Sequence, residues 1–464
     1  YWKSLRFKPP RISRRAAQNI VKEREGLRSE GKVATIIESF EKFFTPEIVD
    51  SIIKYSNEEA IRQKVPGTSR LGFLAYRGLL IFMGKESDSK TAVTDLWSNI
   101  SGRFVYTATM SRTRFQQLTK IIRFDDKTTR NERREFDKFA AMREVFDKMN
   151  SVLPKCYSAG MHTVVDEMLS LFRGRCPFKV FMKDKPGKYG ILIRMLTDSK
   201  SRYIISMESY AGKNKNAAQQ TNSATAVVKR LVHPINNSGR NVTTDRYCTS
   251  VDLAEELWNN HKLTLAGTLQ ANRKHIPQEL KEVFEENYIP VNLRSVILIL
   301  EVFQLQFFHT SLSYQKMASV YFLHTYDIAA LNGYTTFILN FPDWNKKKPN
   351  QRRLCLQELG LKLITPYIEE RARNVTGLQK CVISAMEGIL KRKIKQTSGA
   401  KEVHGGKGRC HLCTRDCRSK IENYNKVSKT TIICSVCKRY TCGKHGKKTV
   451  VCSICEDGCE ESDV

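Results

Sequence analysis

The feature that most limits the fold of this chain is a change in hydrophobic period near residue 162. Upstream, apolar residues recur at helical spacing, as in Ile36, Ile37, Phe40, Phe43 and Phe44. Thr45-Pro46-Glu47 reads as a helix start with proline in the first turn. Ser111 to Phe124 and Phe136 to Leu153 repeat the helical stripe. Downstream the pattern becomes short apolar blocks: Thr163-Val164-Val165, then Ile191 to Leu196, then Arg202 to Met207. A helix over Thr225 to Leu231, a strand over Asn241 to Thr244, a helix over Val251 to Trp258 and a strand over Leu263 to Thr268 follow. Three strands, a helix, a strand, a helix and a strand describe an α/β unit. Helical periods return over Ile328 to Phe341 and Leu354 to Ile368. The fold class is therefore α/β plus α, with the sheet-containing core set between two helical stretches.

Two aspartates close predicted strands of that core. Asp166 follows Val165, and Asp245 follows Thr244, 79 residues later. A carboxylate at a strand end serves most simply as a turn or cap group. A pair of them on neighbouring strands also suits Mg2+, which binds through few carboxylates and keeps waters for substrate phosphates.

The charge balance narrows the partners. The chain holds 78 Lys+Arg against 47 Asp+Glu, a net +31. That surplus attracts polyanions, and phosphate neutralisation with counterion release makes DNA the expected partner. No run of 18 apolar residues is present, so no membrane span is expected. No secretory leader is visible, and the first residue is Tyr1 rather than Met. Residues 1–32 read as a basic flexible arm with Pro9-Pro10 and Arg14-Arg15, consistent with a nuclear address. Further basic groups stand on helical faces (Arg112, Arg114, Lys120, Arg123), at Lys346-Lys347-Lys348, and along 371–408, which reads as a basic linker with Gly405-Gly406.

Nine of the 14 cysteines lie from Cys410 onward. Cys410-x-x-Cys413, Cys434-x-x-Cys437, Cys442-x-x-His445 and Cys452-x-x-Cys455 give eight ligands in four pairs. Tetrahedral zinc takes four sulfur or nitrogen ligands, so eight fit two structural Zn2+ ions in a reducing compartment. Spacing leaves two pairings open, cross-brace (first pair with third, second with fourth) or sequential. Cys417 and Cys459 remain as free thiols, and His411 and His404 as bystanders. Lys438, Arg439, Lys444, Lys447 and Lys448 make the segment basic and are its candidate DNA-binding residues. A chromatin or other protein partner is the competing use of such a finger.

Several words of the sequence resemble the piggyBac transposase family. They are Val165-Asp166-Glu167-Met168-Leu169, Phe172-Arg173-Gly174-Arg175-Cys176-Pro177-Phe178, Lys185-Pro186-Gly187-Lys188-Tyr189-Gly190-Ile191, and Asn241-Val242-Thr243-Thr244-Asp245-Arg246-Tyr247-Cys248-Thr249-Ser250. Upstream, Thr109 to Phe115 and Ile122 to Lys127 match as well, so the resemblance covers about 33–290 and 326–459. It implies a ribonuclease-H-like core inserted in a helical dimerisation and DNA-binding domain. It also implies a homodimer, cut-and-paste transposition by two-metal phosphoryl transfer, and a cross-brace finger that reads transposon-end DNA. Asp166 and Asp245 match the first and second catalytic aspartates. The implied order is a helical first part over 33–160, the core over 161–272, an insertion region over 273–325, a helical second part over 326–398, a linker over 399–408 and the finger over 409–459.

The third catalytic acid is not found. The family carries it in a Gly-Gly-Val-Asp motif, and after Asp252 this chain has only Asp327, Asp343, Asp416, Asp457 and Asp463. Asp327 matches a downstream helix instead. Residues 291–325 stand where the insertion and the third acid belong, show no clear period, and read like an out-of-frame or mis-spliced insert. Glu285, Glu286 or Glu301 are the candidate substitutes, and no motif surrounds them. The sequence alone therefore predicts a transposase-derived DNA-binding protein deficient in cleavage. A working transposase and a zinc-based protein-interaction module are the alternatives.

Overall fold

The structure, a computed structural model, describes residues 21, 23–88, 91–98, 100–183, 185, 187–212, 223–269, 317–394, 407–419, 429–434 and 439–445. The chain divides into two compact units, residues 1–373 with 379–392, and residues 374–378 with 393–464.

The first unit opens with helices α1 (Ile36–Glu41), α2 (Pro46–Arg62), α3 (Arg70–Lys85), α4 (Val93–Leu96), α5 (Phe104–Thr109), α6 (Arg112–Ile121), α7 (Arg130–Phe136) and α8 (Ala140–Cys156). Their starts follow local chemistry. Thr35, Ser69 and Ser111 each accept a hydrogen bond from an amide in the first turn of α1, α3 and α6, and Pro46 occupies the first turn of α2. The stripe read as one helix from Phe136 to Leu153 is divided: α7 ends at Phe136 and α8 begins at Ala140. Asp137 interrupts them, its Oδ1 accepting from the Phe139 amide at 2.9 Å.

Strand β1 (Gly26–Leu27) pairs antiparallel with β2 (Tyr157–Ser158), and the main sheet holds β3 (His162–Leu171), β4 (Val180–Phe181), β5 (Tyr189–Asp198), β6 (Ile204–Ser209), β7 (Asn241–Thr244) and β8 (Thr264–Gly267). Its order is β4-β5-β3-β7-β8, with β6 also paired to β5. β3, β5 and β6 form an antiparallel meander, while β7 and β8 continue it in parallel to β3. Helix α9 (Ala224–Val232) connects β6 to β7, and α10 (Val251–His261) connects β7 to β8. This is the strand and helix succession expected from the sequence, with the two-residue β4 added. β5 is buried from Gly190 to Asp198, so both faces are covered and its apolar run does not alternate.

Two expectations are corrected. Asp166 does not end a strand: β3 runs through it to Leu171, because Asp166 to Leu171 continue the ladder with β5. The stretch 291–325 is not irregular to its end, since the helix Met317–Asn340 begins within it, eleven residues before Ile328. That helix is buried on every side from Ser319 to Gly333, so its sequence carries no amphipathic stripe to read. The rest of 291–325 lies outside the described residues, as do Glu285, Glu286 and Glu301.

This central helix ties the unit together. Tyr321 packs edge-on to Phe139 with centroids 4.6 Å apart, and Phe322 stacks on Phe124 at 4.9 Å. Asn332 receives the Ile204 amide and donates to the Ile204 carbonyl, both at 2.9 Å, which fixes the helix to the start of β6. The Arg77 guanidinium, fully buried, sits 4.9–5.9 Å from the ring centroids of Phe44, Phe40, Tyr326 and Phe73. Helix Gln351–Ala372 packs on α3, and helix Lys380–Leu390 packs on α5 through buried Ile383 and Met386. The linker reading of 371–408 is thus corrected: apolar Ile383 and Met386 fold part of it into a packed helix.

In the second unit, β9 (Gly408–Arg409) pairs antiparallel with β10 (Lys429–Thr430), and a short helix spans His411–Ser419. Its described core is Cys410, Leu412 and Cys434, with Cys413 and Cys442 packed against it.

Candidate functional site

The acid pair follows from strand register. β3 and β7 run parallel, with Val165 opposite Thr244 as the last pair. Asp166 and Asp245 are the next residues on each strand, at the carboxyl end of the pairing. Asp166 stays in the ladder with β5 and is half-buried, whereas Asp245 leaves the strand and is exposed. The turn after β7 is pinned locally. Asp245 Oδ1 accepts from the Cys248 amide at 3.0 Å, its carbonyl accepts from the Thr249 hydroxyl at 2.7 Å, and Ser250 caps α10. Gly267 is required beside it: a Cβ there would lie 2.2 Å from Thr249 Oγ1 and 2.7 Å from the Thr244 carbonyl.

Burial pushes the Asp166 carboxyl above its ordinary range, and the Asp245 and Glu167 charges push the same way. The Glu167 amide, bonded to Asp166 Oδ1 at 2.7 Å, and the Lys185 ammonium oppose this. Burial, followed by the Asp245 charge, drives the Cys248 thiol to about 12, so it is a neutral wall of the site. Two adjacent carboxylates, one poorly solvated, form a donor set that a hard divalent cation relieves by charge compensation.

The sequence reading missed three neighbours. Lys185 Nζ donates to the Glu167 carbonyl at 3.1 Å, and Glu167 pairs with Arg194 at 3.1 Å, directly across the β3–β5 ladder. Arg194 in turn lies over the Tyr210 ring at 5.5 Å. Glu167 and Lys185 both stand inside family-like words, and that was the available signal. Arg194 sits in an apolar block that read as plain core.

A second cluster has the geometry to hold a metal ion. Cys410, Cys413, Cys442 and His445 place their ligand atoms within 4.8 Å of one another. His445 Nδ1 lies 3.3, 3.4 and 3.7 Å from the sulfurs of Cys413, Cys442 and Cys410, and the Cys413 and Cys442 sulfurs are 3.7 Å apart. A zinc–sulfur bond of about 2.3 Å gives a tetrahedral edge of about 3.8 Å, so the four donors stand close to the corners such an ion needs. Burial and the adjacent Cys442 and Cys410 sulfurs drive the Cys413 thiol to about 12, a crowding that a cation relieves. The first pair therefore joins the third, as in the cross-brace order. Cys434 is described and buried, while its expected partners Cys437, Cys452 and Cys455 lie outside the described residues. Among the candidate DNA contacts, Arg439 and Lys444 are exposed, and Lys438, Lys447 and Lys448 lie outside the described residues.

Among the described residues this is the one group of three or more His, Cys, Asp or Glu side chains close enough to share an ion. No third described carboxylate joins Asp166 and Asp245. Asp327 is buried within the central helix.

A family model described as Transposase IS4 matches residues 36–300. The human PiggyBac transposable element-derived protein 3 is 25% identical over 189 residues, 40% of this chain and 31% of that protein. The chain belongs to the piggyBac-type transposase family. The human chimeric ERCC6-PGBD3 protein matches at the same 25% over 189 residues, which is 17% of its length. The matched stretch thus spans less than a third of either curated relative. A piggyBac transposase, solved by cryo-EM as a synaptic complex with hairpin DNA, shares the fold at a TM-score of 0.72 and 22% identity, over 93% of this chain and all of that one.

Proposed function

We propose that this piggyBac-type chain is a nuclear, homodimeric DNA-binding protein with a ribonuclease-H-like core that retains two of three catalytic carboxylates and cleaves DNA poorly or not at all. The observation that carries the reading is the register-fixed pair Asp166 and Asp245 standing without a third described acid. An antiparallel meander extended by parallel β7 and β8, with acids on its central neighbouring strands, supports the ribonuclease-H-like assignment. The net charge of +31 and the DNA present in the solved relative support the DNA partner.

Asp166 and Asp245 are the residues that would hold Mg2+, which when bound supplies charge stabilisation at a phosphoryl group. With two carboxylates instead of three, charge compensation and positioning weaken, and phosphoryl transfer depends on both. Zinc is the ion proposed for Cys410, Cys413, Cys442 and His445, and a second zinc for Cys434, Cys437, Cys452 and Cys455. The basic residues of that segment then face phosphates.

The test pairs binding with cleavage on transposon-end DNA. Affinity is expected to fall steeply with salt, with a log–log slope near −0.9 per phosphate neutralised. No nicking is expected in Mg2+ or Mn2+. Metal-dependent nicking that Asp166→Ala abolishes would show a working transposase with a third ligand elsewhere. A flat salt response would remove DNA as the partner.

A further inference from the structure

The hairpin between β4 and β5 carries a feature that the acid pair does not use. Phe181 and Tyr189 face each other across the strands as a register pair, with ring centroids 4.8 Å apart, yet they are 56% and 44% exposed. An apolar ring pair at a sheet edge normally buries itself or is blunted. Here it stays open beside a lysine, in a stretch of sequence rich in cations. The Lys179 ammonium is fixed by the carbonyls of Arg173 and Gly174 at 3.3 and 3.2 Å, and it lies 5.8 Å from the centre of the Tyr189 ring. Arg173, Arg175, Lys183 and Lys188, on the chain segments that flank the two strands, are exposed. Aromatic rings interleaved with lysine and arginine are what single-stranded nucleic acid uses: bases stack on the rings while cations follow the phosphates. Charge complementarity therefore selects a polyanion that also offers flat π faces.

The hairpin is tied to the acids. Lys185, in its turn, bonds the Glu167 carbonyl, and its charge acts on Asp166. Tyr189 is held to β3 through its own carbonyl, which accepts from the Phe172 amide at 3.2 Å. A strand whose base rests on the rings, beside the end of β3, would run past Lys185 back along β3 toward Asp166, where the β3–β7 pairing ends.

We propose that Phe181 and Tyr189 form a stacking platform for an unpaired base of a DNA strand lying at the Asp166–Asp245 pair. The proposal rests on the DNA-binding reading above and adds to it a preference for unpaired DNA.

The experiment uses the full chain and two oligonucleotides of equal length, one duplex and one with an unpaired terminal segment containing 2-aminopurine. Wild-type protein is expected to quench the 2-aminopurine fluorescence. Phe181→Ala and Tyr189→Ala are each expected to weaken binding of the unpaired probe about tenfold and to restore its fluorescence, leaving duplex binding unchanged. Phe181→Tyr and Tyr189→Phe, which keep the rings, are expected to behave as wild type. If Tyr189→Ala does not fold, Phe181→Ala carries the test, since its side chain is largely in solvent. Unchanged fluorescence and affinity in Phe181→Ala would overturn the proposal. So would an equal loss for both probes, or the finding that the ring pair mediates self-association instead. Absence of binding to either probe by the wild type would overturn the DNA-binding reading itself, a separate and recognisable outcome.

Discussion

Substituting Cys413 tests the proposed zinc site most sharply, because the described core of this unit is small. Its described core is three buried side chains, Cys410, Leu412 and Cys434. Each contributes about 1.5–3 kcal/mol at most. A structural zinc ion contributes about 10–16 kcal/mol at neutral pH. Cys413 supplies one of four donors, and its sulfur lies 3.3 Å from His445 Nδ1 and 3.7 Å from the Cys442 sulfur, at the centre of the cluster. Cys413→Ala leaves three ligands, so most of the ion's contribution is expected to go. Metal content is read by mass spectrometry and order in the C-terminal segment by limited proteolysis. Wild type is expected to hold two zinc ions per chain, resist cleavage after His411, and become sensitive on chelation. The variant is expected to lose at least one ion and be cut without a chelator, while the first unit melts as before. A Cys413→Ala chain that keeps both ions and its protease resistance would refute the reasoning, as would a chelated wild type that stays resistant.

Three further outcomes follow from buried charges and polar bridges. Burial opposes ionisation of Glu59, but hydrogen bonds from Gln63 and Arg62 and the charges of Arg123 and Lys127 win, taking its carboxyl from 4.5 to about 2. Its folded value is depressed, so its contribution, on the order of 3 kcal/mol, is present above pH 4.5 and is lost as pH falls toward 2. Acid unfolding monitored by circular dichroism should show this loss in wild type and a shallower one in Glu59→Gln. Arg77→Ala removes a fully buried side chain from its four-ring cage and is expected to cost about 3–5 kcal/mol. Arg77→Met, which fills the same space, is expected to cost far less. Denaturant titration separates the two, and near-equal losses would contradict this account. Asn332→Leu orphans the Ile204 amide and carbonyl, at about 1–3 kcal/mol for each group. Faster hydrogen exchange at Ile204 is the readout.

Much of this architecture was legible because period and capping are local. Thr45-Pro46 announced α2, and the succession from β3 to β8 was readable from short apolar blocks. What escaped had a physical reason. The central helix is covered on all sides and so lacks a polar face to reveal its period. Asp166 looked like a strand end because a charged residue breaks an apolar run, yet the ladder with β5 carries the strand five residues further. Of the site, the two aspartates and the Cys410–Cys413–Cys442–His445 set were named from residues and resemblance. Arg194 escaped because its partner Glu167 lies across the ladder, a contact that spacing does not encode.

The acid pair also explains why its own test is clean. Asp166 and Asp245 are side by side because Val165 pairs with Thr244 and because Val165, Met168 and Val242 fill the core, not because a metal draws them together. Burial holds the Asp166 carboxyl above its ordinary range, and among the described residues no ion pair offsets this in full. Asp166→Ala therefore removes a destabilised charge while leaving the backbone ladder intact. Its melting temperature is expected to equal or exceed that of wild type, so any activity it loses is lost from chemistry and not from unfolding. A marked drop in melting temperature would mean that the carboxylate holds the strand in place, and that the pair is structural first.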